Sequence, residues 1–176
     1  MLDLVNLPSS FVKSLNYFNE QLMIDWGLSS RNHLPLSLFV IEIDEFSSFT
    51  ETYGQSKAGN CLHAVASALN ATLRRQSDFI AQLGMHRFMF LANDMNFKQA
   101  EQFAKKCHLA IANLEIPHES SPISELVTIS IGHATCTPES NNCKGPQAFL
   151  TTANKHLNRA IKAGANCSKT ALKFTY

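Results

Sequence analysis

No stretch of the 176-residue sequence is apolar for long enough to cross a bilayer; runs such as Leu38 to Ile41 have only a strand's length. The first residues, Met1-Leu-Asp-Leu-Val, lack the positive start and long apolar segment of a secretory leader. No polybasic tract is present, and 15 Lys+Arg against 14 Asp+Glu leave a formal charge of only +1. Nothing therefore announces a nucleic-acid or anionic-membrane surface. The five cysteines (Cys61, Cys107, Cys136, Cys143, Cys167) include no C-x-x-C pair and are odd in number. Free thiols in a reducing cytoplasm are the expectation, and a disulfide framework is not. His133, Cys136 and Cys143 match no standard zinc spacing and lack a fourth ligand, so no metal site is expected there. Internal repeats, linkers and low-complexity tracts are absent as well.

What is present fits one globular domain: the chain is 45% hydrophobic and long enough to bury a core. From Ser9 to about Arg31, Phe11, Leu15, Phe18, Leu22 and Trp26 recur every three to four residues, the stripe of a helix. Pro35 closes that region, and Leu36 to Ile43 reads as a buried strand. A short helical turn over Phe46 to Tyr53 precedes a longer helix carrying Leu62, Val65, Ala66, Leu69 and Leu73. Two short strands, Phe79–Leu83 and Phe88–Ala92, flank Gly84-Met85-His86-Arg87 as a hairpin. Asn96 caps a helix with Ala100, Ala104, Cys107, Ile111 and Leu114 inward. Leu126 to Gly132 is the next strand, and a last helix runs from about Gln147 to Ala163, with Gly164 placed to end it. Ala171 to Tyr176 reads as a final strand. The fold class is α/β (α+β), a central mixed sheet with flanking helices.

Several strings, in order, resemble one family. Asn16-Tyr-Phe-Asn-Glu-Gln-Leu22 with Trp26, Arg31 and Pro35 is similar to the entry of many GGDEF domains, the diguanylate cyclase fold. Glu42-Ile-Asp-Glu-Phe46 stands where that family has D-I-D-x-F-K, and Tyr53-Gly-Gln-Ser-Lys-Ala-Gly-Asn-Cys-Leu62 resembles y-G-H-x-x-G-D-x-x-L. Arg75-Gln-Ser-Asp78 resembles R-x-x-D, and Leu83-Gly-Met-His-Arg-Phe88 occupies the place of Y-G-G-D-E-F. Thr128 to Gly132 is like t-i-S-i-G, and Ala153-Asn154 through Asn166 follows A-D-x-A-L-Y-x-A-K-x-x-G-R-N. On this resemblance residues 1–14 are an extension running into the first helix, and residues 15–176 are a degenerate GGDEF domain.

For chemistry the resemblance implies loss. Active members join two GTP molecules across a dimer using two divalent metals, and such phosphoryl transfer needs carboxylates to hold the metals. The degenerate positions are Glu42, Gly84, Met85, His86, Arg87 and Phe88. Glu42 keeps the first metal carboxylate on a longer arm; His86 and Arg87 replace the two acids of the signature. Imidazole is a poor ligand for magnesium. A guanidinium about 4 Å from a divalent ion costs roughly 8 kcal/mol at an effective dielectric of about 20. Met85 replaces the second glycine, Thr50 and Gly59 replace the residues that read guanine, and Ile161 and Ala165 replace basic residues near the phosphates. No catalysis, no cofactor and no bound metal are expected. The plainer reading of Gly84 to Arg87 is a solvated turn with Arg87 snorkelling from a strand end. His63, His108 and His156 read as partly buried polar residues of helices.

One family site is better kept. R-x-x-D is the family's inhibitory site for cyclic di-GMP, and Arg75 stands nine residues before Gly84, with Asp78 completing the motif. An arginine fork matches the O6/N7 edge of guanine, and a carboxylate accepts from its N1–H and N2–H. Lys106 matches the basic residue that joins this site from the helix after the hairpin, though as a point charge. Against this stands a local Arg75–Asp78 ion pair of about 0–1 kcal/mol. Three readings stay open: a cyclic di-GMP receptor, an interaction or dimerising module without nucleotide, and a residual cyclase or GTP binder. The partners implied are cyclic di-GMP, another signalling protein or a second copy of the chain.

Overall fold

The computed structural model describes residues 12–73, 78–138 and 144–171. The element order is β1 (Val12–Lys13), α1 (Leu15–Asn32), β2 (Leu36–Ile43), α2 (Phe46–Thr72), β3 (Ile80–Leu83), β4 (Arg87–Asn93), α3 (Phe97–Ala112), β5 (Ile129–Cys136), α4 (Pro146–Lys162) and β6 (Ser168–Lys169). The strands form one mixed sheet in the order β1-β3-β4-β2-β5-β6. β2 lies antiparallel between β4 and β5, while β1–β3 and β5–β6 pair in parallel.

The strands are apolar at nearly every position because both faces of the sheet are covered. On β2, Phe39, Ile41 and Ile43 join the core under α2 and α3, whereas Leu36, Leu38 and Val40 join the core under α1 and α4. β4 alternates in step: Phe88, Phe90 and Ala92 go to the first core, Met89 and Leu91 to the second. Phe39, Phe90 and Phe103 pack ring to ring at centroid separations of 4.8–5.6 Å, which fixes α3 on the sheet.

Local signals set the helix ends. Asn96 accepts from the Gln99 amide while the Gln99 side chain accepts from the Asn96 amide, a complete capping box for α3. Ser14 caps α1 in the same way through the Tyr17 amide. The helix read from Ser9 instead begins at Leu15, because the chain first adds Val12–Lys13 to the sheet beside β3. The turn and the longer helix expected after β2 form one element, α2, kinked at Gly54, whose φ is 81°. The closing strand placed at Ala171 to Tyr176 falls largely outside the described residues; β6 is found at Ser168–Lys169.

Cys136 is disulfide-bonded, which corrects the expectation that every cysteine is a free thiol and removes its sulfur from any zinc set. Cys61, Cys107 and Cys167 are free. His133 is buried against Phe39, and burial pushes its pKa down to about 4, so the ring is neutral near pH 7. Its carbonyl accepts from Nδ1 of His156, itself buried; His108 is half-buried and His63 is exposed. No helix among the described residues is long and apolar enough to cross a membrane.

Gly132 of β5 shows why this strand carries a glycine. A Cβ there would collide with the backbone of α4 at Ala153 and Leu157, and neither wall is a side chain that can swing aside. Gly132→Ala is expected to cost about 2–3 kcal/mol or more in chemical denaturation. Gly27→Ala, on an exposed face of α1 where the added methyl meets nothing, should be neutral or stabilise by about 0.5–1 kcal/mol.

Candidate functional site

The β3–β4 turn and the end of β2 meet at one edge of the sheet. The antiparallel register places Glu42 opposite Arg87, so the sheet itself delivers the two charges to each other. Gly84 takes a φ of 71°, which lets the turn close, and the Ile43 amide donates to the His86 carbonyl at 3.0 Å. Nε of Arg87 donates to Oε2 of Glu42. Nε2 of His86 lies 3.8 Å from Oε1 of the same carboxylate, and its ring stacks on Phe46 at 5.6 Å. Burial raises the Glu42 pKa, but the hydrogen bonds and charges of His86 and Arg87 outweigh it and hold the group below its ordinary 4.5. Arg87 is thus not a snorkelling turn residue: its guanidinium is turned onto the carboxylate.

The donor set here does not fit a magnesium pair. Its single carboxylate already carries a guanidinium, and its other side chain is an imidazole. Asp44, two residues on, is buried and fully engaged. It accepts from Oγ1 of Thr128 at 2.8 Å, Oγ of Ser130 at 2.6 Å and the Asn166 amide at 3.0 Å.

The positions suggested for nucleotide are closed or turned away. The hydroxyl of Thr50 donates back to the Phe46 carbonyl at 2.9 Å, within its own helix. Gly59 lines a cavity of only about 20 Å³ with Phe46, Gln55, Leu62, Gln82 and Met85. Ile161 packs against the core under α1 and α4.

On the other side of the hairpin lies a roomier cavity of about 180 Å³, onto which both Asp78 and Lys106 open. Arg75 lies outside the described residues, so the structure brings together two of the three residues suggested for this site. Nζ of Lys106 donates to the Thr72 carbonyl at 2.8 Å, satisfying an otherwise orphaned group at the C-terminus of α2. Asn93, Gln99 and Gln102 also line the cavity and were not anticipated. Their only sequence signal is position around the Asn96 cap, which turns α3 back across the end of β4.

The Glu42–Arg87 pair has a measurable signature. A double-mutant cycle with Glu42→Gln and Arg87→Met should give a coupling of about 1–2 kcal/mol at pH 7, between the values of exposed and buried pairs. Because the folded pKa is depressed, this stabilisation is present above pH 4.5 and lost as pH falls through the lower folded value. A coupling that stays constant down to pH 2 would contradict the pairing.

Comparison with known proteins agrees with the fold. Residues 12–167 match the family model for "Diguanylate cyclase, GGDEF domain". The chain is 25% identical over 159 residues to the probable diguanylate cyclase DgcT of Escherichia coli (strain K12), covering 90% of this chain and 34% of the relative. It is 30% identical over 146 residues to the diguanylate cyclase DgcP of Pseudomonas aeruginosa, covering 83% of this chain and 21% of that one. The chain thus spans about a fifth to a third of these two relatives' lengths. The crystal structure of the GGDEF domain of DgcB from Caulobacter crescentus, in complex with c-di-GMP, superposes with a TM-score of 0.80. Identity there is 16%, with 97% of each chain covered, so that likeness speaks for the fold alone. With the family model spanning most of its length, the chain belongs to the GGDEF diguanylate cyclase family.

Proposed function

We propose that this GGDEF domain is catalytically silent and acts in cyclic di-GMP signalling as a receptor, through Arg75, Asp78 and Lys106. The observation that carries the reading is a contrast between two edges of one hairpin. At one, the remaining metal carboxylate, Glu42, is paired with Arg87; at the other, Asp78 and Lys106 open onto a common cavity.

Loss of catalysis follows from charge. A divalent ion at Glu42 must displace Arg87 and then sit beside a cation, without the second carboxylate that phosphoryl transfer requires. The small cavity at Gly59 supports the same conclusion for the guanine base. For the receptor, Asp78 supplies the acceptor for guanine N1–H and N2–H, Arg75 the fork for O6/N7, and Lys106 a charge for phosphate. The relative of known structure in complex with c-di-GMP, DgcB's GGDEF domain, makes this ligand the first to test. A second reading, a docking module without nucleotide, is favoured by α1, where Met23, Ile24 and Leu28 are 46–62% exposed.

Purified protein with GTP and Mg²⁺ or Mn²⁺ should give no cyclic di-GMP above a protein-free blank. Calorimetric titration should show cyclic di-GMP binding, weakened about five- to hundredfold by Arg75→Ala, as expected for a lost bidentate contact of about 1–3 kcal/mol. Lys106→Ala should have a smaller effect that shrinks at high salt. Neither heat nor thermal shift at saturating ligand would leave the docking module as the better account.

A further inference from the structure

A third cavity lies where the first half of α2 faces the 115–125 loop. It has a volume of about 360 Å³, twice that at Asp78, and shares no lining residue with it. Its walls are Phe49, Tyr53, Cys61 and Ala64 on α2 and Ile116 and Pro117 on the loop, with Lys57 and Asn60 at the rim.

This cavity is built into the fold. The kink at Gly54 re-aims α2, so that Tyr53 and Lys57 flank the same opening. The hydroxyl of Tyr53 accepts from the Glu119 amide at 3.0 Å, and Oγ1 of Thr52 donates to Oγ of Ser120 at 2.8 Å. Ile116 and Pro117 are tied in turn by the Val127 amide, which donates to the Ile116 carbonyl at 2.9 Å, and by the bridge between Pro117 and Leu126. Phe49 stacks at an angle on Tyr53, with centroids 4.7 Å apart, and edge-on against the buried His118 at 5.2 Å. Burial pushes the Cys61 thiol up to about 11, so it presents a neutral, apolar lining.

The rim carries one charge. Nζ of Lys57 lies 5.4 Å from the centre of the Tyr53 ring, and no carboxylate among the described residues pairs with it. An apolar trough in the size range of small-molecule sites, with a single ammonium at its mouth, selects an apolar body ending in one negative charge.

We propose that this cavity binds a free single-chain organic anion, a carboxylate with an acyl or aromatic tail, its tail against Phe49, Cys61 and Ile116 and its head at Lys57. The inference is independent of the receptor reading and stands or falls on different residues.

The test uses octanoate and octylammonium, equal in tail and opposite in charge, followed by amide chemical shifts of the whole chain. Octanoate should bind saturably, with the largest shifts at Tyr53, Cys61, Ala64 and Ile116, and octylammonium at least tenfold more weakly. Lys57→Glu, at an exposed position that should not disturb folding, should weaken octanoate at least tenfold and reverse the preference. Ala64→Phe should fill the trough and abolish binding of both, with far-ultraviolet circular dichroism unchanged. Equal affinity for the two probes, no effect of Lys57→Glu, or no saturable binding by folded wild-type protein would overturn the proposal. So would sedimentation with phosphatidylglycerol vesicles in the absence of octanoate binding, which would assign the trough to a membrane surface.

Discussion

The buried carboxylate of Asp44 is the point on which this architecture turns. A carboxylate in a protein interior is costly unless donors surround it, and here three converge from distant parts of the chain. Thr128 and Ser130 come from β5 and its approach, and Asn166 from the turn after α4. The Asp44 amide adds a bond to the Thr128 carbonyl at 3.0 Å. Together they lock the end of β2 to β5 and to the last helix, and so fix where α2 begins.

The Glu42 edge hangs from that junction. One residue before Asp44, Ile43 binds the hairpin turn through the His86 carbonyl; two before, Glu42 faces Arg87. The same register that would bring an acidic turn up to an acidic strand end, and so create a demand for divalent cations, here brings a guanidinium. The Glu42 carboxylate is paired from within the sheet by Arg87. The reverse side of the hairpin is free of that constraint and keeps Asp78 and Lys106 on an open cavity.

Much of this was legible in the residues. The near-continuous apolar run after Pro35 marked Leu36–Ile43 as a buried strand, Asn96 marked the start of α3, and Gly84 marked the turn. Where the reading failed, long-range contacts decided. Val12–Lys13 becomes a strand only because β3 offers an edge, against a helical pattern that local periodicity extends back to Ser9. The disulfide at Cys136 was missed because an odd cysteine count with no C-x-x-C pair was read as free thiols throughout. At the site, the identities of His86 and Arg87 could be read from the sequence, but not that Arg87 would fold onto Glu42, since that rests on cross-strand register. The cavity residues Asn93, Gln99 and Gln102 carried no motif at all.

The central claim is that Arg87 has taken the place of the cation at Glu42. It is tested most directly by titrating the protein with Mn²⁺ in the presence of GTP and following the free-ion signal by electron paramagnetic resonance. The account predicts that wild-type protein leaves the Mn²⁺ signal at its protein-free level. Stoichiometric loss of that signal, abolished by Glu42→Gln, would contradict it.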